Sequence, residues 1–392
     1  MTSIKDLSFI NKKALIRVDF NVPFDGDIIS DNSRILAAIP TINYVLENGG
    51  SCIVMSHLGR PKKREKKLSL VRIKQELESL LGLVVIFVED CVGPEVKKAS
   101  QRLMPGQVLL LENLRFYKEE VAGDEKFAEE LSSLADIYIN DAYGTTHRAH
   151  ASTSTIARYF AEKSPGLLLE KEILSLKKVL ESPKNPVTAI VGGAKVSSKI
   201  SIIANMLKVI DNLVIGGGMA YTFILNSGGK VGDSICEPDN LGDCQQILDL
   251  AKKNNVKIFL PIDVVVSKSF SNNDKQKEVD IQNIPDGWQG LDIGTKTRKK
   301  FSDVIKQSNT ILWNGPMGVF EMSSFQNGTK AIANAVALAT KKGSFSLVGG
   351  GDSVAAVKKF NLKDKISFIS TGGGAMLESL EGKVLPGIKA LQ

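Results

Sequence analysis

Short apolar runs rich in Val, Ile and Leu alternate along the whole chain with longer stretches whose apolar positions recur at helical spacing. That alternation is the pattern of parallel sheets covered by helices. In the first half the strand candidates are KALIRVDF (13–20), SCIVMSHL (51–58), LVVIFV (83–88), QVLLLENL (107–114) and DIYINDAY (136–143). In the second half they are VTAIVGG (187–193), NLVIGGG (212–218), VKIFLPIDVVV (256–266), NTILWNGP (309–316), GSFSLVGGG (343–351) and KISFISTGGG (365–374). The first helix pattern opens near Ser33 as a capping residue and stops at Gly49-Gly50. Residues 166–181, GLLLEKEILSLKKVLE, are amphipathic and read as a helix joining two domains. The expected fold class is therefore α/β, with two Rossmann-like domains. Each is a parallel sheet covered by helices, over 1–165 and 183–379, with an interdomain helix over 166–182.

Ligands of parallel sheets bind beyond the carboxyl ends of the strands. In the second half nearly every strand candidate ends in glycines and then a helix. Glycines let backbone approach a ligand, and the helix start offers unpaired N–H groups to an anion. Repetition of this turn points to a phosphate-bearing ligand, although glycines that only pack a helix on a strand give the same pattern. The stretch VGGAKVSSKI (191–200) adds Lys195 and Lys199, read as neighbours four apart on a helix. Two cations at a helix start oppose the dipole unless phosphate charge sits before them. The alternative is a pair of splayed surface lysines. Asp352 follows Gly349-Gly350-Gly351 and is either a magnesium ligand beside phosphates or the N-cap of the next helix.

The first half carries side chains where the second carries glycines. Asp19 and Asn21 close the first strand, His57 and Arg60 follow the second, and Arg115 and Arg148 follow later ones, while Arg34 opens the first helix. Guanidinium forks match phosphate and carboxylate oxygens. Together they describe a cup for a small, strongly anionic ligand with at least one hydroxyl. Taken singly, each arginine also fits a surface ion pair, and His57 fits a hydrogen-bonded strand-end histidine as well as a phosphate donor.

The bulk composition narrows the function class. The chain has 392 residues and a net charge of +7. The cationic excess lies after residue 170, where 28 Lys and Arg face 20 Asp and Glu. The densest run there, TKTRKK (295–300), is explained by a solvated helix face at least as well as by a nucleic-acid stripe. The loop PKKREKKL (61–68) is likewise charged. Four cysteines without C-x-x-C spacing and three histidines make a zinc site or a disulfide framework a poor fit. No apolar run approaches the roughly 20 residues of a membrane helix. The first residues, MTSIKDLSFINKK, lack a signal peptide's apolar core, so a cytoplasmic location is expected. No G-x-G-x-x-G opens a helix with an acid about 20 residues on, which disfavours a dehydrogenase.

RVDFNVP (17–23), SHLGRP (56–61), ENLRF (112–116), HRAHAS (147–152), GGAKVSSKI (192–200), WNGPMGVFE (313–321), GGGDS (349–353), STGGGA (370–375) and EGKVLPG (381–387) together resemble phosphoglycerate kinase. The likeness runs in order along nearly the whole chain. It implies a cytoplasmic, monomeric glycolytic enzyme that transfers a phosphoryl group directly and in line between 1,3-bisphosphoglycerate and ADP. By this likeness the N-terminal domain binds 3-phosphoglycerate through Asp19, Asn21, Arg34, His57, Arg60, Arg115 and Arg148, and the tail 380–392 packs back on it. The C-terminal domain binds Mg-nucleotide. Lys195, Lys199 and Gly350, Gly351, Asp352 and Ser353 would hold phosphates and, through Asp352, Mg²⁺. Gly217, Gly290, Leu291, Asn314, Pro316 and Val319 would line the base and sugar slot, with Glu321 on the ribose. Arg34, Lys195 and the helix starts at Gly350 and Gly373 would act on the migrating group. Neither a membrane nor nucleic acid is an expected partner. The different-class alternative is a binding protein for nucleotide or nucleic acid that keeps the platform without catalysis. Ser198, Tyr143 and Thr146 depart from the family pattern without touching the expected chemistry.

Overall fold

The computed structural model describes residues 1–392, which divide into two compact units: Met1–Leu174 with Val384–Gln392, and Ser175–Lys383. The first unit is built on six parallel strands: β1 (Lys13–Arg17), β2 (Ser51–Met55), β3 (Val85–Phe87), β4 (Val108–Leu110), β5 (Ile137–Asn140) and β6 (Glu162–Pro165), in the order β3-β4-β2-β1-β5-β6. Every residue of β2, β4 and β5 is buried, which requires cover on both sheet faces and explains why these strands read as continuous apolar runs. Helix α1 (Ser33–Glu47) packs Ile35, Ala38, Ile42 and Val45 into the core beside Ile16 and Val54. Its N-cap is Asn32, not Ser33; Ser33 already has helical geometry and gives its N–H to Asp31 Oδ1 at 2.9 Å. The edge strand β6 is polar (EKSP) and carries no apolar signal.

Helix α2 (Leu167–Leu180) covers the segment expected to link the domains, and the division between units falls within it, after Leu174. Its start is capped by Asp141, whose Oδ1 accepts from Leu168 N at 2.9 Å and Leu169 N at 3.1 Å. The tail from Val384 groups with the first unit: Gly387 N donates to Thr146 O at 2.8 Å, and Leu385 and Leu391 are buried. Leu380 stays with the second unit, where its carbonyl accepts from Asn205 Nδ2 at 2.7 Å.

The second unit holds another six-stranded parallel sheet: β7 (Val187–Val191), β8 (Asn212–Ile215), β9 (Lys257–Phe259), β13 (Thr310–Asn314), β14 (Phe345–Val348) and β15 (Phe368–Ile369), in the order β9-β8-β7-β13-β14-β15. A separate antiparallel sheet is formed by β10 (Asp263–Ser267), β11 (Gln276–Asp280) and β12 (Gln289–Ile293), ordered β11-β10-β12. The run VKIFLPIDVVV is thus two strands and not one. It breaks at Leu260-Pro261, because proline cannot donate to a ladder, and the halves join different sheets. The helices that matter below are α3 (Ile200–Met206), α4 (Thr295–Lys306), α5 (Asn327–Lys341), α6 (Gly351–Lys359) and α7 (Gly373–Leu380). Trp313 on β13 is fully buried, and its indole N–H is satisfied by Gly315 O at 2.8 Å, which pins the turn that follows.

Candidate active site

Strand order brings the first unit's candidates together. Strands β4, β2, β1 and β5 are consecutive, so the residues after their carboxyl ends share one rim. Arg34 NH1 lies 3.0 Å from Asp19 Oδ2 and donates to Asn21 O at 3.0 Å. Asn21 Oδ1 accepts from Gly59 N at 2.8 Å, and Gly59 O accepts from Arg115 NH1 at 2.7 Å. Arg148 donates through Nε to His147 Nε2 at 3.1 Å. Arg60 is exposed and adjoins the group only as Gly59's neighbour in the chain. The ion-pair alternative holds for Arg34, whereas Arg115 and Arg148 bond a carbonyl and a ring nitrogen.

The electrostatics are those of a site short of negative charge. Burial, then the charges of Arg17 and Arg148, push Arg115 down to about 10. Burial, then Arg17, Arg115 and Arg34, hold His57 well below the usual histidine range. Burial, then Arg115, Arg17 and Arg148, push His150 down to about 4. Buried cations that repel one another are relieved by a bound anion.

Sequence reasoning missed the layer beneath this rim. Arg17, Glu120 and Ser152 are fully buried. Arg17 Nε donates to Ser152 Oγ at 2.8 Å, and Ser152 gives both its hydroxyl (2.6 Å) and its N–H (2.9 Å) to the Glu120 carboxylate. Asn113, also buried, ties the turn after β4 to that after β2: its Oδ1 accepts from Leu58 N at 3.1 Å and its Nδ2 donates to Leu58 O at 2.8 Å. The available signal for Arg17 was a charge inside the apolar run ALIRV, which a strand buried on both faces tolerates only with partners.

In the second unit β8, β7, β13, β14 and β15 are consecutive, and their glycine turns form one wall. Part of that glycine content is packing. A Cβ on Gly192 would lie 2.1 Å from Pro316 O, one on Gly217 2.9 Å from the same atom, and one on Gly290 2.1 Å from Tyr221 Oη. Gly351 and Gly373 differ: they begin α6 and α7, and a Cβ there would meet nothing within 4 Å. Backbone at these two helix starts is open to a ligand.

Lys195 and Lys199 are not on one helix face. Both precede α3, with Lys199 at its N-cap, in a turn closed by Lys199 N–H to Val196 O at 2.8 Å. Glu237, another residue that sequence reasoning missed, fixes that turn by accepting from Ser197 N at 3.0 Å and Ser197 Oγ at 2.6 Å. Burial lowers the pKa of Lys199, against the opposing pull of Asp352, and its ammonium donates to Asn314 Oδ1. Asn314 Nδ2 in turn donates to Gly349 O at 2.8 Å, and Ser353 Oγ accepts from Gly315 N at 2.6 Å. Lys195 is exposed. Asp352 is not the N-cap: that position is Gly350, at φ +91°, and Asp352 is exposed in the first turn of α6. Val319 N donates to Leu291 O at 2.9 Å, which joins the turn after β13 to the antiparallel sheet. Glu321 is exposed, and its carbonyl accepts from Lys359 Nζ at 3.3 Å.

An open groove of about 570 Å³ lies elsewhere, between α4 and α5. Two of its lining cations, Arg298 and Lys306, pair with Glu278 (3.3 Å) and Asp303 (3.8 Å). The run TKTRKK forms part of α4, whose Thr297, Phe301 and Ile305 are buried and whose lysines line the outer side.

Comparison with known proteins places the whole chain. The family model described as phosphoglycerate kinase matches residues 4–383. The phosphoglycerate kinase of Moorella thermoacetica is 52% identical over 390 residues, covering 99% of this chain and 98% of the relative. That of Porphyromonas gingivalis is 47% identical over 416 residues, covering all of both. Among solved structures, phosphoglycerate kinase from Coxiella burnetii superimposes with a TM-score of 0.92 at 40% identity, over 100% of this chain and 98% of that one. The Pyrococcus horikoshii OT3 enzyme does so with a TM-score of 0.86 at 32% identity, over the same shares. With the family's motifs at the ends of both sheets and the likeness running from end to end, the chain belongs to the phosphoglycerate kinase family.

Proposed function

We propose that this chain transfers a phosphoryl group reversibly between 1,3-bisphosphoglycerate and ADP, with 3-phosphoglycerate held on the first unit's rim and nucleotide on the second's. The observation that carries the assignment of rims is the contrast between them: cationic side chains after β4, β2, β1 and β5, and open backbone at Gly351 and Gly373. In this reading Arg34, Arg115, Arg148, Arg60 and His57 receive the phosphate and carboxylate of the acid, and Asp19 and Asn21 accept from its hydroxyl. Gly217, Gly290, Leu291, Asn314, Pro316 and Val319 line the nucleotide slot, and Glu321 takes the ribose hydroxyls.

In the ATP-forming direction a β-phosphate oxygen of ADP attacks the acyl phosphorus. The P–O bond to the acyl group breaks as the new one forms, and 3-phosphoglycerate leaves as a carboxylate. The leaving group needs no proton, because a carboxylate is stable at neutral pH. The protein's task is positioning and charge stabilisation. Arg34 and Lys195 neutralise charge on the migrating group, and the N–H groups at the starts of α6 and α7 donate to its oxygens. Lys199 and Ser353 hold the remaining phosphates. His57 binds substrate and does not carry phosphate.

The residues fit a magnesium ion arriving with the nucleotide. Asp352 is an exposed carboxylate beside the open backbone of Gly351, and no three His, Cys, Asp or Glu side chains cluster to hold a metal unaided. One carboxylate plus phosphate oxygens is a usual magnesium environment. Bound there, the ion would offset phosphate charge. We read the enzyme as cytoplasmic and monomeric; no helix is long and apolar enough to cross a membrane. A coupled assay with ATP, Mg²⁺ and 3-phosphoglycerate tests the reading: ATP-dependent acyl phosphate formation supports it. Nucleotide binding without transfer would favour a binding protein.

A further inference from the structure

We propose that Arg17, held by Glu120 and Ser152, is a positioning residue that locks His57 in its Nε2–H tautomer and so presents a fixed N–H donor to the acidic substrate; this rests on the reading of His57 as a substrate contact. Arg17 NH2 lies 3.2 Å from His57 Nδ1. A guanidinium carries only donors, so the ring nitrogen facing it must accept and therefore bears no proton. In neutral imidazole the proton then resides on Nε2. Asp19 Oδ1 is 4.0 Å from the same Nδ1, too far to compete by accepting an Nδ1–H bond.

The guanidinium has little freedom to turn away. Its Nε is bound to Ser152 Oγ, its NH1 donates to Val18 O, and its NH2 lies 4.0 Å from Glu120 Oε1. All of these groups are buried, so a swing would strand donors away from water. Glu120 is the carboxylate closest to this buried cation, and it also binds the N–H of Ser152, two residues after His150 and four after Arg148. The same carboxylate thus anchors the chain that carries Arg148. The other charged or titratable groups acting on His57 are Arg34, Arg115 and His150. The cations among them disfavour a second ring proton, which leaves the tautomer as the variable that geometry decides. Were Nδ1 the protonated atom, an N–H donor would abut the guanidinium and the substrate would meet a bare acceptor, which repels phosphate and carboxylate oxygens.

The test is long-range ¹H–¹⁵N correlation of the histidine side chains in the full-length, ¹⁵N-labelled protein without ligands, from pH 6 to 9. The wild type is expected to show His57 as the neutral Nε2–H form throughout. An Nδ1–H form, or a doubly protonated ring at pH 7, overturns the proposal. Ser152→Ala removes the bridge and keeps both charges. It is expected to mix the His57 tautomers and to raise KM for 3-phosphoglycerate about tenfold with kcat nearly unchanged. A folded Ser152→Ala protein with wild-type ring signals and KM would show that the bridge positions nothing. Should Arg17→Met misfold by stranding Glu120, the charge-balanced Arg17→Met/Glu120→Gln protein serves in its place, with the same tautomer mixing expected and an unmixed ring contradicting the proposal. The ring signals do not depend on substrate. An unchanged KM in His57→Ala would therefore refute the substrate contact alone and leave the tautomer result standing.

Discussion

At the residue scale, the proposed transfer rests on single side chains. Arg34→Ala and Lys195→Ala each remove a cation assigned to the migrating group, so kcat is expected to fall about 10³-fold or more. Circular dichroism should be unchanged, and a variant with near-native turnover would take its residue out of the mechanism. Asp141 makes a different kind of prediction. Burial raises its carboxyl from the ordinary 3.8 to about 7, against the hydrogen bonds from Thr41, Leu169 and Leu168 that lower it. The folded chain then holds a proton that the unfolded chain releases. Stability from this group is therefore greatest near pH 4 and is lost as pH rises towards 7, by at most about 1.4 kcal/mol per pH unit. Asp141→Asn keeps an acceptor for the start of α2 and loses the titration. Its unfolding free energy should gain on the wild type's between pH 5 and 7 in urea melts, and a gap independent of pH would contradict the assigned shift. Such residues also mark the limit of sequence reading. That the arginines after strands share one edge was legible because parallel strands deliver their ends to one side of the sheet. Arg17 and Glu120 were not, because what gives them meaning is partners more than 30 residues away in the chain.

At the scale of elements, the alternation of apolar runs and amphipathic stretches revealed ten of the twelve strands of the two parallel sheets, and an eleventh as the first part of VKIFLPIDVVV. It missed β6, whose EKSP sequence has no apolar period, and the change of sheet at Pro261, which is decided by tertiary pairing. The glycine wall was legible as a wall but not as two populations. That division is testable. Gly351→Ala adds a methyl to a helix in open space, so Tm should hold or rise while KM for nucleotide increases several-fold. Gly192→Ala drives a methyl into Pro316 O and should lower Tm by several degrees. Equal Tm losses in the two variants would mean that Gly351 is packing as well. The turn holding Lys195 and Lys199 was misread as helix because four-residue spacing is also what a turn ahead of a short helix produces; Glu237, which fixes it, is 40 residues away.

At the scale of the molecule, one chain carries cationic side chains at the ends of one parallel sheet and glycine turns at the ends of another, and the proposed direct transfer requires the two substrates to come within reach of each other. We expect the radius of gyration in solution scattering to fall when 3-phosphoglycerate and Mg-nucleotide are both present, and to fall less with either alone. Exclusion of water on closure would then suppress ATP hydrolysis. An unchanged radius with both ligands would remove closure from the account. In the proposed mechanism the phosphoryl group passes once, from nucleotide to carboxylate, without resting on the protein. The most direct test is the stereochemical course with ATP made chiral at the γ-phosphorus by oxygen isotopes: a single in-line displacement predicts inversion, whereas retention would require an enzyme-bound phosphate and contradict the mechanism.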